Sequence, residues 1–528
     1  AVADGPVEPP TGGLEVYDGG PQLLSDLAAG GTPRVVAALL PGDWPADQAI
    51  TARAVLASGR GVIIVVPDHR DVRRVDAALL RALGPGHHVA LSADLGPAER
   101  YRRFLALRRG TARCVVGTRS AVWAPVAPLG AILVWDDGDD LHAEPRAPYC
   151  HSRDVAVLRA HLEGAAAMLA GHAVTAEGAA LTASGWATAL EPAPRGRQAA
   201  IPTVRTSADD AFDDPLARAA RLPTIAWKTA RDSLGAGRPV LVQVPRRGYL
   251  PTMSCESCRA PARCAICSGP LARSGPDQPP RCRWCGVTVA EWRCPHCGHA
   301  GMRAVVVGAR RTAEELGRAF PGVPVRTSGG DAVLDTVTGQ AAVVVATPGA
   351  EPVADGGYGA ALLLDGWSLL ARPDLRAAEE ALRRWLNAAA LVRGAADGGR
   401  VVVVAPGELR PVQALLRWQP RWHAEREVEE RTALHLPPAA RLAALTGTAD
   451  AVRELLSLAV LPAGAEVLGP VVVPVRPGTT TDQERLLVRV PRRSGAQLAT
   501  ALKQAASVRS ARKSPAAVRV ELDPVILG

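Results

Sequence analysis

Eight of the chain's ten cysteines fall between residues 255 and 297, arranged as four Cys-x-x-Cys pairs. The pairs are Cys255/Cys258, Cys264/Cys267, Cys282/Cys285 and Cys294/Cys297. Each pair puts two thiolates on one tight turn, half of an all-sulfur tetrahedral site, so four pairs predict two zinc ions. Spacing limits how they combine. Adjacent pairs leave loops of only five and eight residues, and a cross-brace has the same short first loop. Nesting is favoured: Cys264, Cys267, Cys282 and Cys285 read C-x2-C-x14-C-x2-C, close to a zinc ribbon. Cys255, Cys258, Cys294 and Cys297 then close over them with the second ion. His296 and His299 compete by residue type, but eight thiolates already fill two sites. Four thiolates leave no open position, so these sites are expected to be structural. The other reading is a disulfide framework. A long chain without a secretion signal is expected to stay reduced, which favours zinc.

At 528 residues and 55.0 kDa the chain exceeds one core, and about two to four domains are expected. A net charge of +9 and a pI near 9.3 point to an anionic partner, nucleic acid first. No uncharged apolar run reaches the ~18 residues of a membrane span, and the start lacks a signal pattern. A cytoplasmic protein is expected. The chain begins with Ala1 rather than Met, so residues are expected to precede it.

Residues 1–33 are rich in Gly, Pro and Asp and read as a linker or remnant. From Arg34 onward, short β-branched runs alternate with Arg/Ala/Leu-rich helical stretches, the pattern of a doubly wound α/β unit over 34–186. Residues 187–222 read as a polar connector. A second α/β unit covers 223–250 and 301–436, resuming with a strand at 304–307, and is interrupted by the cysteine module at 251–300. Pro437-Pro438 marks the boundary of a small α+β domain, 437–528, with the order β-α-β-β-α-β.

Several stretches carry a family resemblance. Val116-Gly117-Thr118-Arg119-Ser120-Ala121-Val122-Trp123-Ala124-Pro125, His151-Ser152-Arg153-Asp154-Val155-Ala156, Arg246-Arg247-Gly248-Tyr249 and Arg372-Pro373-Asp374-Leu375-Arg376-Ala377 are similar to the GTRSA-x-F-A-P, HARDVA, RRGY and PDFRA segments of the PriA family. That family comprises primosomal replication-restart proteins, which are superfamily 2 DNA helicases. The ending Glu521-Leu522-Asp523-Pro524 resembles its last strand. The resemblance implies two RecA-like helicase lobes, a two-zinc module with nested cysteines in the second lobe, and a DNA-contacting C-terminal domain. It also implies docking of single-strand binding protein and other primosome components. The family's N-terminal DNA-binding domain and winged helix find no matching stretch here.

The motor motifs depart from the family. Where P-loop enzymes carry G-x4-G-K-[ST], this chain reads Gly42-Asp43-Trp44-Pro45-Ala46-Asp47-Gln48-Ala49. Asp47 replaces the second glycine, Gln48 the phosphate lysine and Ala49 the Mg²⁺ hydroxyl. Asp43 and Asp47 are expected to repel a triphosphate. The family's DEEH becomes Asp136-Asp137-Gly138-Asp139, its SAT segment becomes His172-Ala173-Val174-Thr175, and the first arginine of its last motif becomes Leu391. Asp136 could still hold a metal. From these departures ATP is not expected to bind, and the chain is expected not to be an enzyme. It reads instead as a restart protein that binds forked or single-stranded DNA and scaffolds partners. A divergent DNA-stimulated ATPase or 3′-5′ helicase, and a zinc-ribbon interaction scaffold, are the alternatives. Candidate phosphate contacts are Arg119, Arg153, Arg246 and Arg247, with Arg259, Arg263, Arg281 and Arg283 in the module. Trp123, Tyr149 and Tyr249 are candidate stacking platforms.

Overall fold

The computed structural model describes residues 7–525, apart from 93–94, 207–221, 246–251, 259, 274–277, 283–284, 306–308, 371, 373 and 474–482. Runs of β-branched residues become the strands of two parallel sheets. In lobe 1 these are β1 (Arg34–Ala38), β2 (Gly61–Val65), β3 (His88–Leu91), β4 (Cys114–Gly117), β5 (Leu129–Trp135), β6 (Ala166–Gly171) and β7 (Thr188–Leu190). Their order is β3-β4-β2-β5-β6-β1-β7. Every residue of β2 and β5 is buried, because helices cover both faces. That is why these strands are unbroken apolar runs and not alternating ones.

The helices of lobe 1 are α1 (Gly20–Ala28), α2 (Trp44–Ala57), α3 (His69–Leu83), α4 (Pro97–Arg108), α5 (Ser152–Leu162) and α6 (Ala176–Ala183). The Asp43 carboxylate accepts from Ala46 N at the start of α2, and Asp68 accepts from the amides of Arg70 and Asp71 at the start of α3. Each cap stabilises its helix by about 1 kcal/mol.

Two boundaries differ from the sequence reading. Residues 1–33 are not simply a linker: α1 buries Leu23, Leu24 and Leu27, and the Leu40 amide donates to the Tyr17 hydroxyl at 3.0 Å. Nor is 187–222 only a connector. Its first residues add β7 to the edge of lobe 1, and α7 (Pro194–Ala200) and β8 (Thr203–Thr206) follow, β8 as an edge strand of lobe 2. Such three- and four-residue edge strands are too short to show a period in sequence.

Lobe 2 is the sheet β14-β16-β9-β18-β19-β8. Its remaining strands are β9 (Val240–Gln243), β14 (Val325–Ser328), β16 (Val343–Ala346), β18 (Ala360–Leu363) and β19 (Arg400–Val403). Its helices are α8 (Thr224–Gly235), α9 (Ala309–Ala319), α10 (Gly366–Leu370), α11 (Ala377–Ala389), α12 (Arg410–Arg417) and α13 (Pro420–Ala433). A short parallel ribbon joins β15 (Thr336–Val337) to β17 (Val353–Ala354). Helix α13 crosses back to lobe 1, where Ala424 enters the same apolar cluster as Val134 and Leu169.

The cysteine module has its own antiparallel sheet, β12 (Arg281–Cys282), β11 (Leu271–Ala272), β10 (Thr252–Cys255) and β13 (Met302–Val305). The strand expected at 304–307 to resume lobe 2 is therefore β13 instead. It pairs with β10 in the register Thr252↔Val305 to Cys255↔Met302, so the chain leaves the module beside the strand that entered it. The C-terminal domain runs β20 (Ala440–Gly447), α14 (Ala449–Leu458), β21 (Glu466–Val473), β22 (Gln483–Pro491), α15 (Gly495–Ala511) and β23 (Arg519–Leu522), in the expected order.

Candidate metal centres and the interlobe cleft

The module's ladder brings the cysteines together. The pairing Leu271↔Cys282 brings the inner knuckles together, and Cys255↔Met302 does so for the outer ones. One group of sulfurs is Cys255, Cys258, Cys294 and Cys297, the other Cys264, Cys267, Cys282 and Cys285, each within 4.8 Å of one another. Cys255 and Cys297 Sγ are 3.5 Å apart, Cys258 and Cys294 3.4 Å. Cys264 and Cys285 are 3.7 Å apart, Cys267 and Cys282 3.4 Å. A tetrahedron with zinc–sulfur bonds of ~2.3 Å has edges of roughly 3.8 Å, whereas a disulfide needs ~2.05 Å. The donor set and spacing therefore fit two metal ions of zinc's type. His299 lies 3.8 Å from Glu256.

Between the lobes lies a cleft of about 330 Å³. Gly42 and Asp136 line it, with Arg70, Arg74, Arg383 and Arg384. Trp44 and Trp135 stack at its base, centroids 4.0 Å apart and 5° from parallel. The Arg74 guanidinium lies over the Trp44 ring at 5.0 Å. Asp47, Gln48 and Ala49 are not among the lining residues. Gln48 and Ala49 are buried within lobe 1. Burial, with Asp43 and Glu15 nearby, pushes the Asp47 carboxyl up to about 7.

The densest polar network links the lobes, and the sequence reading did not find it. Arg383 on α11 pairs with Asp136, with Asp139 at 3.1 Å and with Glu380 at 2.7 Å. Asn387 Nδ2 donates to Asp136 Oδ2 at 2.8 Å. Burial pushes the Asp136 carboxyl up to about 6, against the pull of Arg383 and Asn387. Beside it, Thr175 Oγ1 donates to Asp137 Oδ2 at 2.8 Å while capping α6. Glu177 accepts from Arg376 at 2.9 Å. Burial opposes the Glu177 charge, but Arg376 and Arg153 outweigh it and hold the carboxyl well below its usual range. A glutamate and arginine at i and i+3 on an apolar helix, Glu380 and Arg383, were the available signal, but such pairs are common on solvated faces.

The nucleic-acid candidates scatter. Arg153 is only 5% exposed and is spent on Asp137 and Glu177, at 3.3 and 3.4 Å, so it is not offered to a phosphate. Arg119 is partly exposed and held by Glu144 at 3.0 Å. Trp123 is exposed. The Tyr149 ring is covered by the Arg519 guanidinium at 4.6 Å. Arg263 and Arg281 donate to module carbonyls, Ser268 O and Gly286 O. Arg246, Arg247, Tyr249, Arg259 and Arg283 lie outside the described residues. Among the described residues no helix is long and apolar enough to cross a membrane.

Two parallel-sheet lobes facing across a polar cleft, the second interrupted by paired cysteine tetrads, define a two-lobed α/β protein with an inserted candidate metal module. Comparison with known proteins narrows the class. The Primosomal protein N C-terminal domain family matches residues 432–525. The chain is 51% identical to the probable replication restart protein PriA of Mycobacterium leprae (strain TN), over 99% of this chain and 82% of that protein. It is 50% identical to the Mycobacterium tuberculosis (strain ATCC 25618 / H37Rv) protein of the same name, with the same coverages. The chain belongs to the PriA family of replication restart proteins. Among solved structures, S. cerevisiae Dbp5 bound to RNA and ADP BeF3 superimposes with a TM-score of 0.42 at 10% identity, covering 78% of this chain and 93% of that one. RecG bound to a three-way DNA junction gives 0.40 at 10% identity, covering 79% and 46%. Likenesses this slight bear on neither ligand nor mechanism.

The expectation that the chain is not an enzyme is corrected. Family membership along nearly its whole length sets it among helicase-type proteins, and the comparisons do not show its ATPase motifs as lost. The geometry alters one part of the physical case: Asp47, expected to repel a triphosphate, does not line the cleft, where four arginines stand among six carboxylates, Asp68, Asp71, Asp136, Asp139, Asp140 and Glu351.

Proposed function

We propose that this chain serves replication restart as a helicase-type protein that binds forked or single-stranded DNA and gathers other restart factors, single-strand binding protein among them, in the cytoplasm. The observation that carries the reading is the joint retention of two lobes, interlobe cleft and nested cysteine tetrads in a chain half identical to restart proteins. Zinc in both tetrads holds the module in shape. The net charge of +9 favours a polyanion. Anisotropy titration of fork and single-stranded DNA at several salt concentrations tests it. Binding that weakens steeply with salt is expected, and no binding at low salt would end the reading.

A second reading is ATP-driven translocation, favoured by family membership and by a cleft between the lobes where four arginines stand among carboxylates. The P-loop positions supply neither an ammonium nor a hydroxyl there, so no nucleotide pose or step is assigned. ATP turnover measured with fork DNA distinguishes the readings: clear stimulation over the DNA-free rate favours the motor, and its absence the scaffold.

A further inference from the structure

The chain is poor in aromatic residues, which make up 4% of it. Among the described residues, the large exposed aromatic side chains are Tyr101 at 64%, Phe104 at 38% and Trp123 at 57%. All three lie on adjoining elements of lobe 1. Tyr101 and Phe104 are on α4, and Trp123 ends the 3-10 turn Arg119–Trp123. Arg100 Nη2 donates to Ser120 Oγ at 3.1 Å and joins the two elements.

Helical geometry settles which flank of α4 meets that turn. At 3.6 residues per turn, Arg100, Phe104, Arg108 and Tyr101 share an arc of about 100°. Leu107 is buried, and Arg103 donates to Ala90 O on β3, so their arc faces the sheet. Arg100 stands at the edge of the exposed arc nearest the turn. The flank carrying Arg100 and Phe104 is therefore the one nearest the turn that ends at Trp123, with Tyr101 further round on the exposed face. Trp123 is itself held outward, because Arg159 Nη1 donates to the carbonyls on either side of it, Val122 O at 2.6 Å and Ala124 O at 3.1 Å.

The charge on this patch has one sign. Residues 97–109 hold five arginines and one glutamate. Glu99 takes Arg102 and Arg103, leaving Arg100, Arg108 and Arg109 around the rings. Rings interleaved with arginines match a single strand, whose bases stack and whose phosphates need cations. A protein partner would draw instead on the exposed Leu158 and Leu162 of α5.

We propose that the flank of α4 and the turn ending at Trp123 form a single-stranded nucleic-acid platform, with Tyr101, Phe104 and Trp123 stacking on bases and Arg100 and Arg108 on phosphates. This deepens the DNA-binding reading and rests on it. The full chain is titrated with labelled oligothymidine over a range of salt. A Tyr101→Ala/Trp123→Ala double variant is expected to bind on the order of 10-fold or more weakly with an unchanged salt slope, since stacking releases no counterion. Tyr101→Phe/Trp123→Phe, which keeps the rings, restores affinity, which a merely misfolded patch does not explain. Arg108→Ala lowers the slope by about 0.7. If the wild type binds and the double alanine variant binds equally well, the platform is wrong while the DNA-binding reading stands. If Leu158→Ser/Leu162→Ser weakens strand binding and the aromatic variant does not, the patch is likewise overturned. If the wild type binds no single strand even at low salt, both fail.

Discussion

Arg383, on α11 of lobe 2, pairs with Asp136 at the end of β5 in lobe 1, with Asp139 at 3.1 Å from the same nitrogen. Arg383 and Asp136 are buried and Asp139 is partly so, and the closed arrangement of the lobes is stabilised by charge as well as apolar contact. Desolvating these groups is costly, and only mutual pairing compensates it.

Removing one partner leaves others uncompensated. Arg383→Ala leaves Asp136 and Asp139 without their cation, while Glu380 keeps Arg384 and Asp136 keeps Asn387, and is expected to destabilise the chain by about 3 kcal/mol. Urea unfolding followed by tryptophan fluorescence checks this. A midpoint equal to wild type would show that the network contributes little.

Asp47 predicts a pH dependence. Its folded pKa of about 7 lies above the ordinary 3.8. The stability owed to its neutral form is complete below about pH 4 and lost as pH rises through 7. Asp47→Asn removes that loss. The variant is expected to melt a few degrees above wild type at pH 8 and to lose most of that advantage by pH 5, read by differential scanning fluorimetry.

Gln48 is buried, and neither its Nε2 nor its Oε1 has a partner among the described residues. An unsatisfied buried amide costs about 1–3 kcal/mol. Gln48→Met, of similar volume, is expected to stabilise lobe 1 by up to that amount. A lower unfolding midpoint would mean that the amide is satisfied after all, for instance by water.

The nested tetrads predict about two zinc ions per chain. Cys264→Ser and Cys282→Ser are expected each to release the same ion, and Cys255→Ser and Cys294→Ser the other. Metal analysis combined with cobalt-substituted spectra checks the assignment. Simultaneous loss of both ions from any single variant would contradict two separate centres.

The local code was readable where a residue's neighbours in sequence are also its neighbours in space. The Cys-x-x-Cys turns, the buried β-branched runs of β2 and β5, and the β-α-β-β-α-β order of the tail all belong to that class. Even the nested grouping followed from loop length, because a short loop restricts which knuckles can meet. Motif comparison carried less. Asp47 and Gln48 were read as part of a phosphate-facing loop, and neither is among the residues lining the cleft.

From sequence alone came the element types, the two lobes with an inserted cysteine module, and the ligand sets, all consequences of periodicity and spacing along one chain. Tertiary structure alone decided that Arg153 is an internal ion-pair partner, that α1 and β7 complete lobe 1, and that Arg383 meets Asp136. The physical reason is that burial and charge pairing depend on residues brought together from distant parts of the chain. An arginine 247 residues from its aspartate carries no local mark of the partner it will find.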